Sequence, residues 1–233
     1  MGAAVTAQRS TRERILEASR RLFNDQGYAA TPVADIAKTV GISTGNLTYH
    51  FPAKADIVTE LATRARLEYR DVKDLPRSGP IADIYVEIVR FAMNHAWHKR
   101  FLLRDRAQFG EPQRAGRPDP DSAAAVEMVH DLLRRVQSAG MFRNDLDLDL
   151  RVLARSLCIV SRFWMDHLSE AEGLGQVTWA DQERGLQHHF AVLFPCLNAA
   201  GKREFQSALE RLAERHAASG ETTSDAATPG SAA

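Results

Sequence analysis

The chain has 233 residues, 44% hydrophobic and 26% charged, with 30 Lys and Arg balanced by 30 Asp and Glu. Length and composition suit a soluble globular protein of one or two domains and exclude disorder of the whole chain. No run of about 18 apolar residues occurs, and Met1 to Ser10 lacks the apolar stretch of a signal peptide, so no membrane span or secretion is expected and the cytoplasm is the expected location.

The first predicted helix runs from Thr11 to Gln26, with Ile15, Ala18, Leu22 and Phe23 near one face. Ser10 and Glu13 have capping-box spacing, and Gly27 suits a C-terminal stop. A short second helix starts at Thr31-Pro32, with Thr31 as cap and Pro32 in the first turn, where its missing N–H costs nothing. Val33, Ile36, Ala37 and Val40 form its stripe, and Gly41 ends it. The third helix begins at Ser43, a suitable cap, with Ile42 and Leu47 at the spacing of a hydrophobic staple. A fourth spans Ala53 to Val72.

Asp74 to Pro80 reads as a linker and Gly110 to Asp121 as a long surface loop. Helical periods cover Ile81 to Phe109 with a break near Lys99, then Ser122 to Ala139, Asp149 to Glu170, Thr178 to Phe194 and Lys202 to His216. No segment alternates as a strand. The polar, aromatic-free stretch from Ala218 to the end is expected to be disordered. The sequence therefore predicts an all-α protein of two domains: a helix-turn-helix domain in residues 1–54, with the motif at 32–51, and a helical body in residues 55–217.

Zero net charge conceals an asymmetry. Residues 1–54 carry seven cations (Arg9, Arg12, Arg14, Arg20, Arg21, Lys38, Lys54) and four carboxylates (Glu13, Glu17, Asp25, Asp35), a net +3 that leaves −3 for the rest. Cys158 and Cys196 lie in apolar helical surroundings and read as reduced packing thiols.

In residues 32–51, small Ala37, turn-forming Gly41 and apolar Leu47 stand where a helix-turn-helix needs them. At 100° per residue, Leu47 and Phe51 point inward, Gly45 and Tyr49 roughly opposite, Thr48 and Asn46 on the flanks, and Thr44 and His50 at the margins. Glycine on an exposed helix face costs about 1 kcal/mol relative to alanine, so Gly45 asks for a reason. One is close approach to a DNA groove, where Thr44, Asn46 and Thr48 reach bases or phosphates and Tyr49, His50 and Lys54 bond phosphate oxygens. The other is a three-helix cap that tolerates a flaw.

The stretch from Arg12 to Thr31 (RERILEASRRLFNDQGYAAT), then Asp35 to Ala37 (DIA), then Gly41 to Lys54 (GISTGNLTYHFPAK) resembles the DNA-binding domain of tetracycline-repressor (TetR) family regulators over residues 10–58. The resemblance implies an all-helical homodimer on a palindromic operator in double-stranded DNA. It implies that Thr31 touches phosphate, and that Ser43, Thr44, Gly45, Asn46, Thr48, Tyr49, His50 and Lys54 form the DNA surface. The chain departs from many members in having Thr48 where they have Tyr and Thr44 where Lys or Arg is common, which shortens reach.

For the body the resemblance implies a layout and names no residues. Asp149 to Glu170 carries two apolar stripes, one of Leu153, Leu157, Val160 and Trp164, the other of Val152, Ile159 and Phe163, so both sides must be covered. With Leu186, Phe190 and Leu193 of the next helix, the first stripe is expected at a four-helix dimer interface, the alternative being intrachain core. Met93, Trp97, Phe101, Phe109, Met128 and Phe163 are expected around a small-molecule effector, although such a stripe also suits plain core. His95 and His98 stand three apart without a completing ligand set, so no metal or other cofactor is expected. Nucleophile elbows, phosphate loops and CxxC pairs are absent, and no enzymatic activity is expected. The expectation is a repressor released from its operator by an effector; the alternative is a helical ligand- or partner-binding protein with a degraded DNA-binding head.

Overall fold

The computed structural model describes residues 10–71, 78–105, 108, 120–173 and 178–219. Among these, ten α-helices follow one another: α1 (Thr11–Gln26), α2 (Val33–Val40), α3 (Thr44–His50), α4 (Lys54–Asp71), α5 (Ile81–His98), α6 (Arg100–Arg104), α7 (Pro120–Ser138), α8 (Leu150–Glu170), α9 (Trp179–Leu193) and α10 (Ala199–Ser219). Phe194–Cys196 forms one turn of 3-10 helix, and Phe142 and Leu197 pair as an isolated antiparallel bridge. The predicted linker lies mostly outside the described residues, as do nearly all of the long loop and the tail beyond Ser219.

The chain divides into two compact units. The first holds residues up to Tyr69 together with 98–116, so α6 belongs to it; the second holds the rest. The first unit is α1 to α4 plus α6 around Ile15, Leu16, Phe23, Ile36, Val40, Leu47, Phe51, Ile57, Val58 and Phe101. Phe101, expected at an effector, is thus a core residue of this first unit, the head of the molecule. Residues 98–105 are bonded onto the end of α1: Asn24 donates to His98 O (2.9 Å) and accepts from Phe101 N–H (3.1 Å), Arg104 donates to Phe23 O (2.6 Å), and Tyr28 N–H donates to Asp105 (2.8 Å).

Local chemistry sets the ends of these helices. Ser10 Oγ accepts the Glu13 N–H (3.2 Å), while Glu13 itself takes a two-pronged bond from Arg64 of α4 (2.7 and 2.7 Å). Gly41 closes α2 at φ 74°, in the left-handed region that favours glycine, and its N–H returns to α2. The helix starts one residue later than predicted: Pro32 is the cap residue, and the Thr31 hydroxyl turns inward to Gly27 O (2.7 Å).

In the second unit α7 packs on α8 and α8 on α9. Tyr85, Met93, Trp97, Leu133, Val136, Leu157, Leu168, Leu193 and Phe205 are buried there. Gly185 lets α8 and α9 approach, since a Cβ at this position would stand 2.5 Å from the Trp164 ring. Thr178 and Asp181 form a capping box at the start of α9, and Pro195 ends that helix in the 3-10 turn. The last helix begins three residues before Lys202, because Asn198 accepts the Gly201 N–H (2.9 Å) as a cap. Two-pronged bonds from Arg211 to Asp83 (2.9 and 2.9 Å) tie α10 to α5. Burial pushes the Cys158 thiol up to about 11, which keeps it protonated and unreactive.

Candidate DNA interface

The α2–turn–α3 hairpin presents a short helix whose two sides differ sharply. Leu47 and Phe51 are buried in the head core, whereas Thr44, Gly45, Asn46, Thr48 and Tyr49 are exposed and His50 is half-buried. Tyr49 is 84% exposed and leans edge-on against the His50 ring at 5.4 Å. A large amphipathic side chain left this open buries little of itself against its own chain. Ser43 Oγ is occupied as the α3 cap (from Asn46 N–H, 3.1 Å), and the Thr48 hydroxyl donates to Gly45 O (3.0 Å). A Cβ on Gly45 would meet only Ser43 Oγ, at 3.9 Å, so no packing inside the protein demands glycine there.

Two residues predicted to touch DNA are turned inward. Thr31 is fully buried, its hydroxyl spent on the carbonyl of Gly27, so it offers no side chain to phosphate. Lys54 donates to Tyr28 O (2.7 Å) and Thr31 O (2.9 Å) and lies 4.2 Å from the centre of the Tyr28 ring. Burial holds its pKa below the ordinary lysine value. Its ammonium fixes the loop between α1 and α2.

Other head cations are committed as well. Arg20 and Arg21 flank Glu17 (2.9 and 2.9 Å) and hold its carboxyl at about 2. Arg12 pairs with Glu60, and Arg14 donates to Val40 O. The +3 balance of residues 1–54 thus counts mainly internal fasteners, and the outward face of α3 is polar rather than cationic.

In the body, Met93 and Trp97 are buried on α5 and Met128 is half-buried on α7. Phe109 lies outside the described residues. Phe163 is 46% exposed, with Val152 at 56% and Ile159 at 51% on the same side of α8. Leu153, Leu157, Trp164, Phe190 and Leu193 are buried within the chain, with Val160 and Leu186 half-buried, because α7 and α9 already cover that side of α8. Among the described residues no three His, Cys, Asp or Glu side chains gather as a metal site, and no helix is long and apolar enough to cross a membrane.

Comparison with known proteins decides the family. Residues 15–61 match the family described as bacterial regulatory proteins, tetR family, and residues 72–205 match the TetR bacterial transcriptional repressors. The chain belongs to the TetR family. As a member it is a DNA-binding transcriptional repressor, with α2 and α3 as its helix-turn-helix. The HTH-type transcriptional repressor KstR2 of Mycobacterium tuberculosis is 32% identical over 149 residues, covering 60% of this chain and 74% of that protein. AcnR of Corynebacterium jeikeium is 25% identical over 160 residues, covering 68% and 82%. A TetR-family regulator from Marinobacter aquaeolei shares the fold with a TM-score of 0.73 at 22% identity, over 87% of this chain and 98% of that one. CprB of S. coelicolor does so with 0.65 at 21%, over 88% and 96%.

Proposed function

We propose that this TetR-family member acts as a homodimer in the cytoplasm, without catalytic activity, and represses by placing α3 of each protomer in successive major grooves of a palindromic operator. The observation that carries this is the outward face of α3, where Tyr49 stands open to solvent beside Asn46, Thr48 and a glycine that no intrachain contact requires. Asn46, Thr44 and Thr48 supply short hydrogen-bonding groups for base edges, and Tyr49, His50 and Ser43 supply groups for phosphate. Gly45 allows the helix backbone to come close.

Two such helices must sit about 34 to 36 Å apart to engage adjacent grooves. The exposed Val152, Ile159 and Phe163 of α8 form the face on which a second protomer would be held. Met93 and Trp97 of α5 and Met128 of α7 are candidates to meet a small-molecule effector. α5 up to Trp97 is part of the second unit, while the residues that follow it, 98–105, are bonded to α1 in the head. An effector that prefers a different spacing of the heads weakens DNA binding by the factor by which DNA weakens effector binding.

Selection from a random duplex pool at two salt concentrations, followed by sizing of the selected complex, tests this. The expected result is an inverted repeat bound by an even number of subunits. Failure to enrich any sequence at low salt would overturn the reading in favour of a ligand- or partner-binding protein with a degraded head.

A further inference from the structure

We propose that Arg12 and Arg14 are positioning residues for DNA recognition: from the first turn of α1 they hold the last carbonyls of both helices of the helix-turn-helix. Arg12 Nη1 donates to His50 O at 3.0 Å, and Arg14 Nη2 donates to Val40 O. His50 is the last residue of α3 and Val40 the last of α2. The final carbonyls of a helix have no intrahelical donor, and a cation placed there also opposes the negative end of the helix dipole. One turn of α1 therefore sets the ends of the two elements that must enter DNA as a rigid pair.

α3 needs such a hold. It has seven residues, fewer than a helix needs to persist alone in water. Leu47 and Phe51 anchor its inner side. The Arg12 guanidinium lies 4.3 Å from the centre of the Phe51 ring while it bonds the carbonyl of the preceding residue, so it fixes how α3 ends. Arg12 is itself held by Glu60 of α4, which also bonds Arg64 (2.8 Å), and Arg64 returns to Glu13 of α1 (2.7 Å). These four alternating charges join α1 to α4 beneath the recognition helix. Arg12 acts on DNA through α3, not as a neutraliser of phosphate.

The inference rests on the DNA-binding reading above, and the salt dependence of binding separates the two roles. A residue that neutralises one phosphate adds about −0.9 to the slope of log K against log salt; a positioning residue adds nothing. With the full-length protein and its selected duplex, Arg12→Gln is expected to weaken binding at least tenfold, with the slope unchanged, the dimer intact and the preference at the central bases relaxed. Arg14→Gln is expected to act the same way. Glu60→Gln gives an independent arm that keeps every arginine. Loosening Arg12 is expected to weaken binding, although the variant removes a negative charge; a phosphate-contacting Arg12 would instead be freed and bind tighter.

A slope that falls by about 0.9 in Arg12→Gln, tighter binding by Glu60→Gln, or unchanged affinity in both would overturn the proposal while leaving the regulator intact. If Arg12→Gln does not fold, Glu60→Gln and Arg12→Lys, which keeps the charge but loses the planar fork, carry the test; Arg12→Lys is expected to bind more weakly at an unchanged slope. A wild-type protein that binds no duplex would overturn both readings.

Discussion

The Tyr85 hydroxyl lies 3.0 Å from Nε2 of His189, and both side chains are buried between α5 and α9. On the other side of the ring, Nδ1 stands 2.9 Å from Ser161 Oγ of α8. Three helices of the body thus meet at one imidazole. Burial lowers its pKa from 6.5 to about 4, against the opposing pull of the Leu157 backbone. Burial also holds the Tyr85 phenol above its ordinary value, so it stays protonated.

That depressed value makes a stability prediction with a definite sign. The folded state keeps His189 neutral where the unfolded chain protonates it, so its contribution is complete above pH 6.5 and is lost as pH falls toward 4. The loss is expected to run at about 1.4 kcal/mol per pH unit and to total about 3 kcal/mol. Urea unfolding between pH 7.5 and 4.5 should show it, and His189→Asn should flatten the profile in that window. A wild-type profile no steeper than that of the variant would contradict it.

On the DNA face, Tyr49→Phe removes one hydroxyl from a side chain that touches little of its own protein. The expected cost is on the order of tenfold in operator affinity, about 1.4 kcal/mol, with unchanged thermal stability. Gly45→Leu is expected to abolish operator binding while the dimer survives, because the space around that Cα is open within the chain. Electrophoretic mobility shift and light scattering on both variants check this, and retained binding in both would remove α3 as the reading surface.

The two stripes of α8 predict opposite phenotypes. Ile159→Asp and Phe163→Asp should yield folded monomers that bind DNA poorly. Leu157→Ala should keep its partner but lose about 2 to 5 kcal/mol of stability, since it empties fully buried space. Sedimentation velocity distinguishes them; a dimeric Ile159→Asp, Phe163→Asp double variant would place the interface elsewhere.

Packing of α9 on α8 turns on one missing atom. Gly185→Ala would set a methyl 2.5 Å from the Trp164 ring, whose Nε1 donates to Asp181 O at 2.7 Å and whose centre lies 4.5 Å from that of the tilted His188 ring. The expected cost is about 1 to 3 kcal/mol, with blue-shifted or broadened tryptophan emission as that ring is displaced. A denaturation midpoint equal to wild type would show that the helices slide apart without cost.

Local features of the head were legible in the sequence. Ser10, Gly41 and Ser43 act through groups a few residues away, so capping and turn chemistry could be read from spacing alone. The inward set of α3 followed from its period, because a buried Leu47 leaves Tyr49 on the far side wherever the helix sits. The motif from Arg12 to Lys54 carried the family resemblance for the same reason: its pattern is written in one continuous stretch.

Only the tertiary structure decided matters that depend on partners distant in sequence. Periodicity showed that α8 has two apolar stripes but not which one its own chain would cover; α7 and α9 cover Leu153 and Leu157 and leave Ile159 out. Charge counting gave the head a net +3 without showing that Arg12 is spent on Glu60 and His50, Arg14 on Val40 and Lys54 on Tyr28 and Thr31. Phe101 looked like its apolar neighbours on α5 until the break at Lys99 carried it onto Asn24 and the core of the head. A side chain's chemistry is intrinsic, but its role follows from what the fold sets against it.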